Sequence, residues 1–366
     1  MAGLTWRWAV VVLLVGLLGA LPSLAGALPS DSVEIGADEL LERVRTSDAV
    51  GWSGYGESRG SLVLPDVSEL GDLPSLVGGT TRARAWWRGP QDWRVDALSL
   101  VGETDTTRDA RGGWTWQSAD RRATRVSGEL DVRLPRAADL LAPTLGQRLS
   151  RTADVTASRL PERRIAGRSA AGLRLTPVRP QATTIGSVEM WVEPRTGLPL
   201  RVEVRAAGET DSVLQTSLLD LELAMPAAER TTFRPPRGAS VTTVDAPDLA
   251  ALADRFAPYL LPGELAGLPR RARSALSVGG GVGTYGDGFT AVALVPLPHD
   301  LAGDIIGRVA PGGDGTEADI STPLVNALIS HDDDGGAYLL AGTVPPPLLE
   351  AALAQLRADP PPGGER

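Results

Sequence analysis

The sequence predicts an α+β protein: a long antiparallel β-meander with one apolar face under short helices, then a smaller α+β module. Three observations lead there. Short runs of alternating apolar and polar residues, broken by Gly, Pro and Asp turns, fill most of the first two-thirds of the chain. Gly 42 and Pro 29 in 366 residues suit a turn-rich β architecture. The charge also breaks at one point: Leu28 to Val244 holds 28 Arg against 29 acids, and Asp245 to Arg366 holds 7 Arg against 16 acids. Such a break beside the unpatterned stretch "FRPPRGASVTTVDAP" marks a domain boundary.

The N-terminus reads as a targeting segment. A single Arg7 precedes an uncharged apolar run from Trp8 to Leu21, followed by Pro22 and the small-residue triplet Ala25 to Ala27. A signal peptide has this order of parts. The run is short for a membrane span, although counting on to Leu28 reaches about 20 residues. A cleaved signal and an uncleaved anchor both stay open, and either places the rest of the chain outside the cytoplasmic membrane. The expected division is 1–28 signal or anchor, 29–240 β domain, 241–247 linker, 248–358 small α+β domain and 359–366 disordered tail.

After this segment, "GADELLERVRTSD" sets Leu40, Leu41 and Val44 on one helical face. "TRARAWWRGPQDWRVDAL" reads as two strands around the turn Gly89 to Asp92. Ala83, Ala85 and Trp87 share one face, opposite Arg82, Arg84, Trp86 and Arg88; Trp93, Val95 and Ala97 alternate with Arg94 and Asp96. Three more short strands follow, and Trp114 and Trp116 lie two apart on one of them. A helical interval at "RAADLLAPTLGQRLS" precedes further strands, including a hairpin whose turn "EPRTG" puts Gly197 where positive φ is needed. There Leu200, Val202 and Val204 face one way, and Arg201, Glu203 and Arg205 are expected to face water. A sheet with one apolar face must cover it, and the helices are the available lid.

The second module reads as a helix at "DAPDLAALADRFAPYLL", strands at "RSALSV" and "FTAVALVPL", a helix at "HDLAGDIIGRV", a hairpin of "LVNALIS" and "AYLLAGTV", and a last helix at "PPPLLEAALAQLRAD". Its "GVGTYG" matches a dinucleotide fingerprint, but a strand follows where the fingerprint requires a helix. "HDDDGG" lacks the alternate spacing of a calcium loop and reads as a hairpin turn.

Every one of the 36 basic residues is Arg, there is no Cys, and only His299 and His331 are imidazoles. Zinc sites and Ser-His or Cys-His catalysis therefore have little material. No cofactor and no metal is expected. The acidic distal part argues against nucleic acid, which needs a basic face.

The strings "WSGYGESRGSLVLPDV", "ARAWWRGPQDWRVDAL", "GETDTTRDARGGWTWQSADRRATRV", "VEMWVEPRTGLPLRVEV" and "TTFRPPRGA" resemble envelope proteins of the lipoprotein-carrier (LolA-like) fold. In particular they resemble actinobacterial relatives of the N-terminal domain of the RseB/MucB sigma-factor regulators. The resemblance spans roughly residues 35 to 240. It implies a curved, incompletely closed β-barrel with helices over its open side, whose apolar concavity takes acyl chains or unfolded envelope-protein segments. Expected partners are a lipid or lipoprotein acyl chain, an anti-sigma factor and the membrane surface. A weaker resemblance links the second module to small C-terminal domains found beside such regulators.

Trp87, Trp93, Trp114, Trp116 and Met190 are the candidate ligand-binding residues. They either fill the space between sheet and helices or line an apolar cavity with the ligand. Arginines on the alternate face read as a solvated, paired face. The chain is expected to be a non-enzymatic binding protein, regulatory or a simple carrier; a hydrolase with an acidic site is the alternative. Fractionation should find the mature chain beginning near Leu28, or anchored through Trp8 to Leu21; full-length protein soluble in the cytoplasm would rule out both.

Overall fold

The structure is a computed structural model that describes residues 35–65, 70–99, 102–110, 112–127, 134–245, 261–271, 282–313, 315–332 and 336–359. The expected N-terminal segment, the helix at 246–260, the strand at 273–278, the turn at 333–335 and the tail at 360–366 lie outside the described residues.

Two groups of strands run in sequence. The first is β1 (Trp52–Gly60), β2 (Thr80–Gly89), β3 (Asp92–Leu98), β4 (Glu103–Asp109), β5 (Gly112–Gln117) and β6 (Arg122–Ser127). The second is β7 (Val155–Ile165), β8 (Arg168–Pro177), β9 (Ile185–Val192), β10 (Pro199–Ala206) and β11 (Ser212–Glu222). β1 pairs with β11 and joins both groups into one curved, open sheet of twelve strands, order β12-β6-β5-β4-β3-β2-β1-β11-β10-β9-β8-β7. The twelfth is β12 (Ser240–Asp245), which pairs parallel to β6 while every other neighbour is antiparallel. Here the structure corrects the sequence reading: residues 240–245 are an edge strand and not an irregular linker. Val241, Thr243 and their neighbours find free hydrogen-bonding groups on β6, a tertiary fact that local composition does not carry.

Three helices cover one face: α1 (Ala37–Arg45), α2 (Leu73–Gly78) and α3 (Ala142–Ser150). The apolar stripe of α1 is Leu40, Leu41 and Val44, with Asp38 and Glu39 in the first turn and Arg43 and Arg45 in the last, which suits the helix dipole. This stripe packs on Leu173, Leu175, Val188, Met190, Val202 and Val204. A side chain at Gly146 of α3 would strike Pro199 and Val202, so glycine is what lets α3 approach β10. Gly197 has φ +73 in the β9–β10 turn, as its sequence position implied, and a Cβ there would meet the Arg43 carbonyl at 2.2 Å.

The smaller sheet has order β15-β16-β19-β18-β17 and takes α4 (His299–Val309) and α5 (Pro346–Ala358). Its strands are β15 (Gly283–Tyr285), β16 (Val292–Leu297), β17 (Glu317–Ser321), β18 (Asn326–Asp332) and β19 (Gly336–Gly342). A two-stranded ribbon of β13 (Glu264–Leu265) and β14 (Leu268–Pro269) precedes it. The two sheets meet closely. Thr183 Oγ1 donates to the carbonyls of Phe289 and Thr343, Thr184 Oγ1 donates to Leu324 O, and Phe289 and Leu324 are buried in the core cluster of the large sheet. No helix among the described residues is long and apolar enough to cross a membrane.

Met190 is fully buried under α1. Replacing it by Ala should cost about 2–5 kcal/mol, because the void cannot collapse inside a packed sheet-and-helix layer. Val63→Ala, at a site 84% exposed, should change stability by about 0.5 kcal/mol or less. Denaturant unfolding of both variants checks the contrast.

Candidate functional site

Directly opposed residues of an antiparallel pair share a face. Two rows across the sheet therefore place the tryptophans. One runs Trp86, Arg94, Thr107, Trp114; the next runs Arg84, Asp96, Asp105, Trp116. Trp114 and Trp116 thus stand on the face of Trp86 and the arginines, opposite Trp87, Trp93 and Val95. For Trp114 and Trp116 the register gives a face other than the helix-covered one that both sequence alternatives, core filling and cavity lining, had shared with Trp87, Trp93 and Met190. Period-two alternation says which residues of one strand agree, but only the loops between strands decide how the next strand is phased.

The five residues occupy three places. Met190 lies in the core under α1. Trp87 is buried in a second core cluster, donates its indole N–H to Asp48 O at 2.8 Å and stacks on half-buried Trp93, with centroids 6.0 Å apart and planes 10° apart. Trp114 and Trp116 are half-buried and clasp Phe233, at 5.5 and 6.2 Å between centroids.

Phe233 belongs to the segment from Leu223 to Ala239, which leaves β11 and crosses the charged face as a strap. Arg88 donates to Pro226 O, Arg230 lies 5.9 Å from the Trp86 ring, and Arg121 donates to Arg237 O. The strap delivers the chain to β12. Near it sit three carboxylates, Asp96, Glu103 and Asp105, whose nearest oxygens lie within 4.8 Å of one another. Arg94 bridges Asp96 and Asp105, while Asp105 Oδ1 is buried without a hydrogen-bond partner. Burial first, and the charge of Asp96 second, push the Asp105 carboxyl up to about 7 against the pull of Arg94.

Farther along the same face, β7 to β10 enclose a cleft of about 580 Å³. Its floor is Trp191, whose indole N–H donates to Pro161 O at 3.1 Å and whose ring carries the Arg163 guanidinium at 3.8 Å. The pairing of β7 with β8 shifts between Leu160 and Arg163, and this bulge folds Leu160 and Pro161 over Gly172. A Cβ at Gly172 would lie 2.7 to 2.8 Å from Leu160 and Pro161 atoms, so no larger residue fits beneath the bulge. Arg201, Glu203 and Arg205, expected to face water, are largely withdrawn from it. Glu203 is buried and takes Arg163, Arg201 and Arg205; Glu189 is buried and takes Arg174 and Arg205. Burial raises the Glu189 carboxyl, but the hydrogen bonds from Arg174 and Arg205 outweigh it and hold the group below its ordinary value. Sequence reading missed this cleft. Its one signal was the repeated Arg-x-Glu-x-Arg at 201–205, which gave no sign that Arg163, Arg174 and Glu189 would join it.

In the small sheet, His299 and His331 meet edge to face with ring centroids 4.9 Å apart. Tyr285 follows the "GVGT" stretch as strand, and no helix opens there among the described residues.

No family model and no curated protein matches the chain. Among solved structures, it is similar to Pseudomonas aeruginosa MucB in its complex with MucA, at 20% identity over 86% of this chain and 96% of that one, with a TM-score of 0.48. It is also similar to MucB solved alone, at 19% identity over 87% and 96%, TM-score 0.44. A LolA superfamily protein from Nitrosomonas europaea aligns at 14% identity over 54% and 98%, TM-score 0.26.

An acid whose folded pKa lies above its unfolded value stabilises the fold while protonated. For Asp105 that contribution is complete below about pH 3.8 and is lost as the pH rises through about 7. Asp105→Asn should remove this part of the decline, up to about 4 kcal/mol on the scale of 1.36 kcal/mol per pH unit. Unfolding free energies of both proteins between pH 4 and 8 check it; parallel curves would separate Asp105 from the pH dependence.

Proposed function

We propose that the protein is an extracytoplasmic, non-enzymatic binding protein whose apolar sheet face takes an acyl chain of a lipid or lipoprotein, or an unfolded envelope-protein segment. The observation that carries this reading is the cover over that face. The flap, residues 61–65 and 70–79, lays Leu62, Leu64, Leu73, Leu76 and Val77 on the core cluster formed by α1 and β8 to β11. Leu62 and Val77 are buried, whereas Leu64, Leu73 and Leu76 are only partly so. These aliphatic side chains occupy a surface that an acyl chain would match, and α2 at six residues is too short to be stable on its own. A ligand that displaces part of the flap exchanges one aliphatic contact for another.

The sequence resemblance adds the finer reading: such binding reports to a sigma-factor pathway through an anti-sigma factor at the membrane surface. Carriage without regulation is its simpler form. The hydrolase alternative is weaker. The carboxylate cluster of Asp96, Glu103 and Asp105 is bridged by Arg94 and contributes no residue to the cleft lining.

Titration with a fluorescent fatty acid tests the reading. Leu73→Ser with Leu76→Ser weakens the flap and should tighten probe binding several-fold. Trp116→Ala and Trp86→Ala, both on the far face, should leave it unchanged. Absence of probe binding in every variant, together with no lipid copurifying by mass spectrometry, would defeat the proposal.

A further inference from the structure

The cleft between β7 and β10 lies on the face opposite the flap, and nothing in the acyl-binding reading uses it. Its volume of about 580 Å³ falls within the range of small-molecule sites. Arg163, Arg174 and Arg205 line it, and Arg201 joins them through Glu203. These four guanidiniums face the two buried carboxylates Glu189 and Glu203; with exposed Glu209 at the rim, one positive charge is still in excess. Arg205 spends its terminal nitrogens on Thr210 O, Glu189 and Glu203, yet its Nε is buried and has no hydrogen-bond partner. That nitrogen is closed to the cleft, whereas Arg163 lies over Trp191 and gives only Nη1, at 3.4 Å, to Glu203, which leaves its Nε and Nη2 edge for an acceptor.

We propose that this cleft binds an oxyanion, a phosphate or carboxylate group, with the partly exposed guanidiniums of Arg163 and Arg174 as its donors. Arginine suits such a group because its planar fork matches two oxygens at once. Trp191, Leu160 and Pro161 offer an apolar wall to whatever carries the anion. The same chemistry is presented by a free small anion and by an anionic lipid headgroup, and the experiment separates them. The site does not depend on the acyl-binding reading, since it shares no lining residue with the flap.

The test uses the full chain. Inorganic phosphate and acetate are titrated against sodium chloride at matched ionic strength, reading binding heat and Tm. Flotation with phosphatidylglycerol and phosphatidylcholine vesicles runs alongside. Saturable binding of phosphate or acetate is expected, weakened at least tenfold in Arg174→Gln and in Arg163→Lys, which keeps the charge but loses the fork. Arg84→Gln, on the same face outside the cleft, should bind as the parent does. Loss of phosphatidylglycerol binding in Arg174→Gln assigns a headgroup; unchanged flotation with lost anion binding assigns a free anion. The proposal is overturned if neither anion binds beyond the chloride control and no anionic vesicle is bound. It is overturned equally if Arg174→Gln, whose side chain is partly exposed and removable without emptying the core, binds as tightly as the parent. A failed fatty-acid titration would leave all of these outcomes readable.

Discussion

Cross-strand register keeps the two faces of the twelve-stranded sheet chemically distinct, and most of the structure follows from that separation. One face joins Val188, Met190, Val202 and Val204 to Leu173 and Leu175 in an aliphatic layer that must be taken out of water. α1, α3 and the flap, which includes α2, do so. On the other face the same pairings bring Glu189 opposite both Arg174 and Glu203, and Glu203 opposite Gln215. Two carboxylates directly opposed across strands would repel each other. Arg205 reaches both of them, with Arg174 on one flank and Arg201 on the other, so the charged face coheres only as a network.

The same separation explains the strap. Along β3 to β5 the charged face carries Trp86, Trp114 and Trp116 among arginines and aspartates, and indoles left bare there would expose a large apolar patch. The strap answers this with Phe233 between two tryptophans and Arg230 over the Trp86 ring, while the sheet's own Arg94 and Arg125 lie over Trp86 and Trp114. It also carries the chain from β11 to the far edge, where β12 completes β6. In the row that ends at Trp116, Asp96 and Asp105 are buried, and Asp105 Oδ1 has no hydrogen-bond partner.

The two candidate binding surfaces are thereby physically independent. An acyl chain would meet aliphatic groups under the flap, with affinity set by buried area. An oxyanion would meet oriented guanidiniums in the cleft, with affinity sensitive to salt. The small module touches the first surface: Phe289 and Leu324 sit in its core, and the Thr183 and Thr184 hydroxyls tie the module's loops to the end of β9. Changes at the flap therefore have a packed route into the second sheet, while the cleft lining contains no residue of that sheet.

By itself the sequence determined what depends on near neighbours along the chain. The stripe Leu40, Leu41, Val44, the helix at 299–309, the turn at Gly197 and the inward set Ala83, Ala85, Trp87 all follow from period and turn chemistry, and the structure has them. What it could not determine was any relation between strands. Whether Trp114 agrees with Trp86 or with Trp87 depends on how β4 and β5 are phased against β3, and a shift of one residue inverts the answer. The withdrawal of Glu203 from water needs Arg163 and Arg205, and the β12 edge needs β6, more than a hundred residues earlier in the chain. Alternation is a property of one strand; register, bulges and the strap are properties of pairs, and only the tertiary structure brings those pairs together.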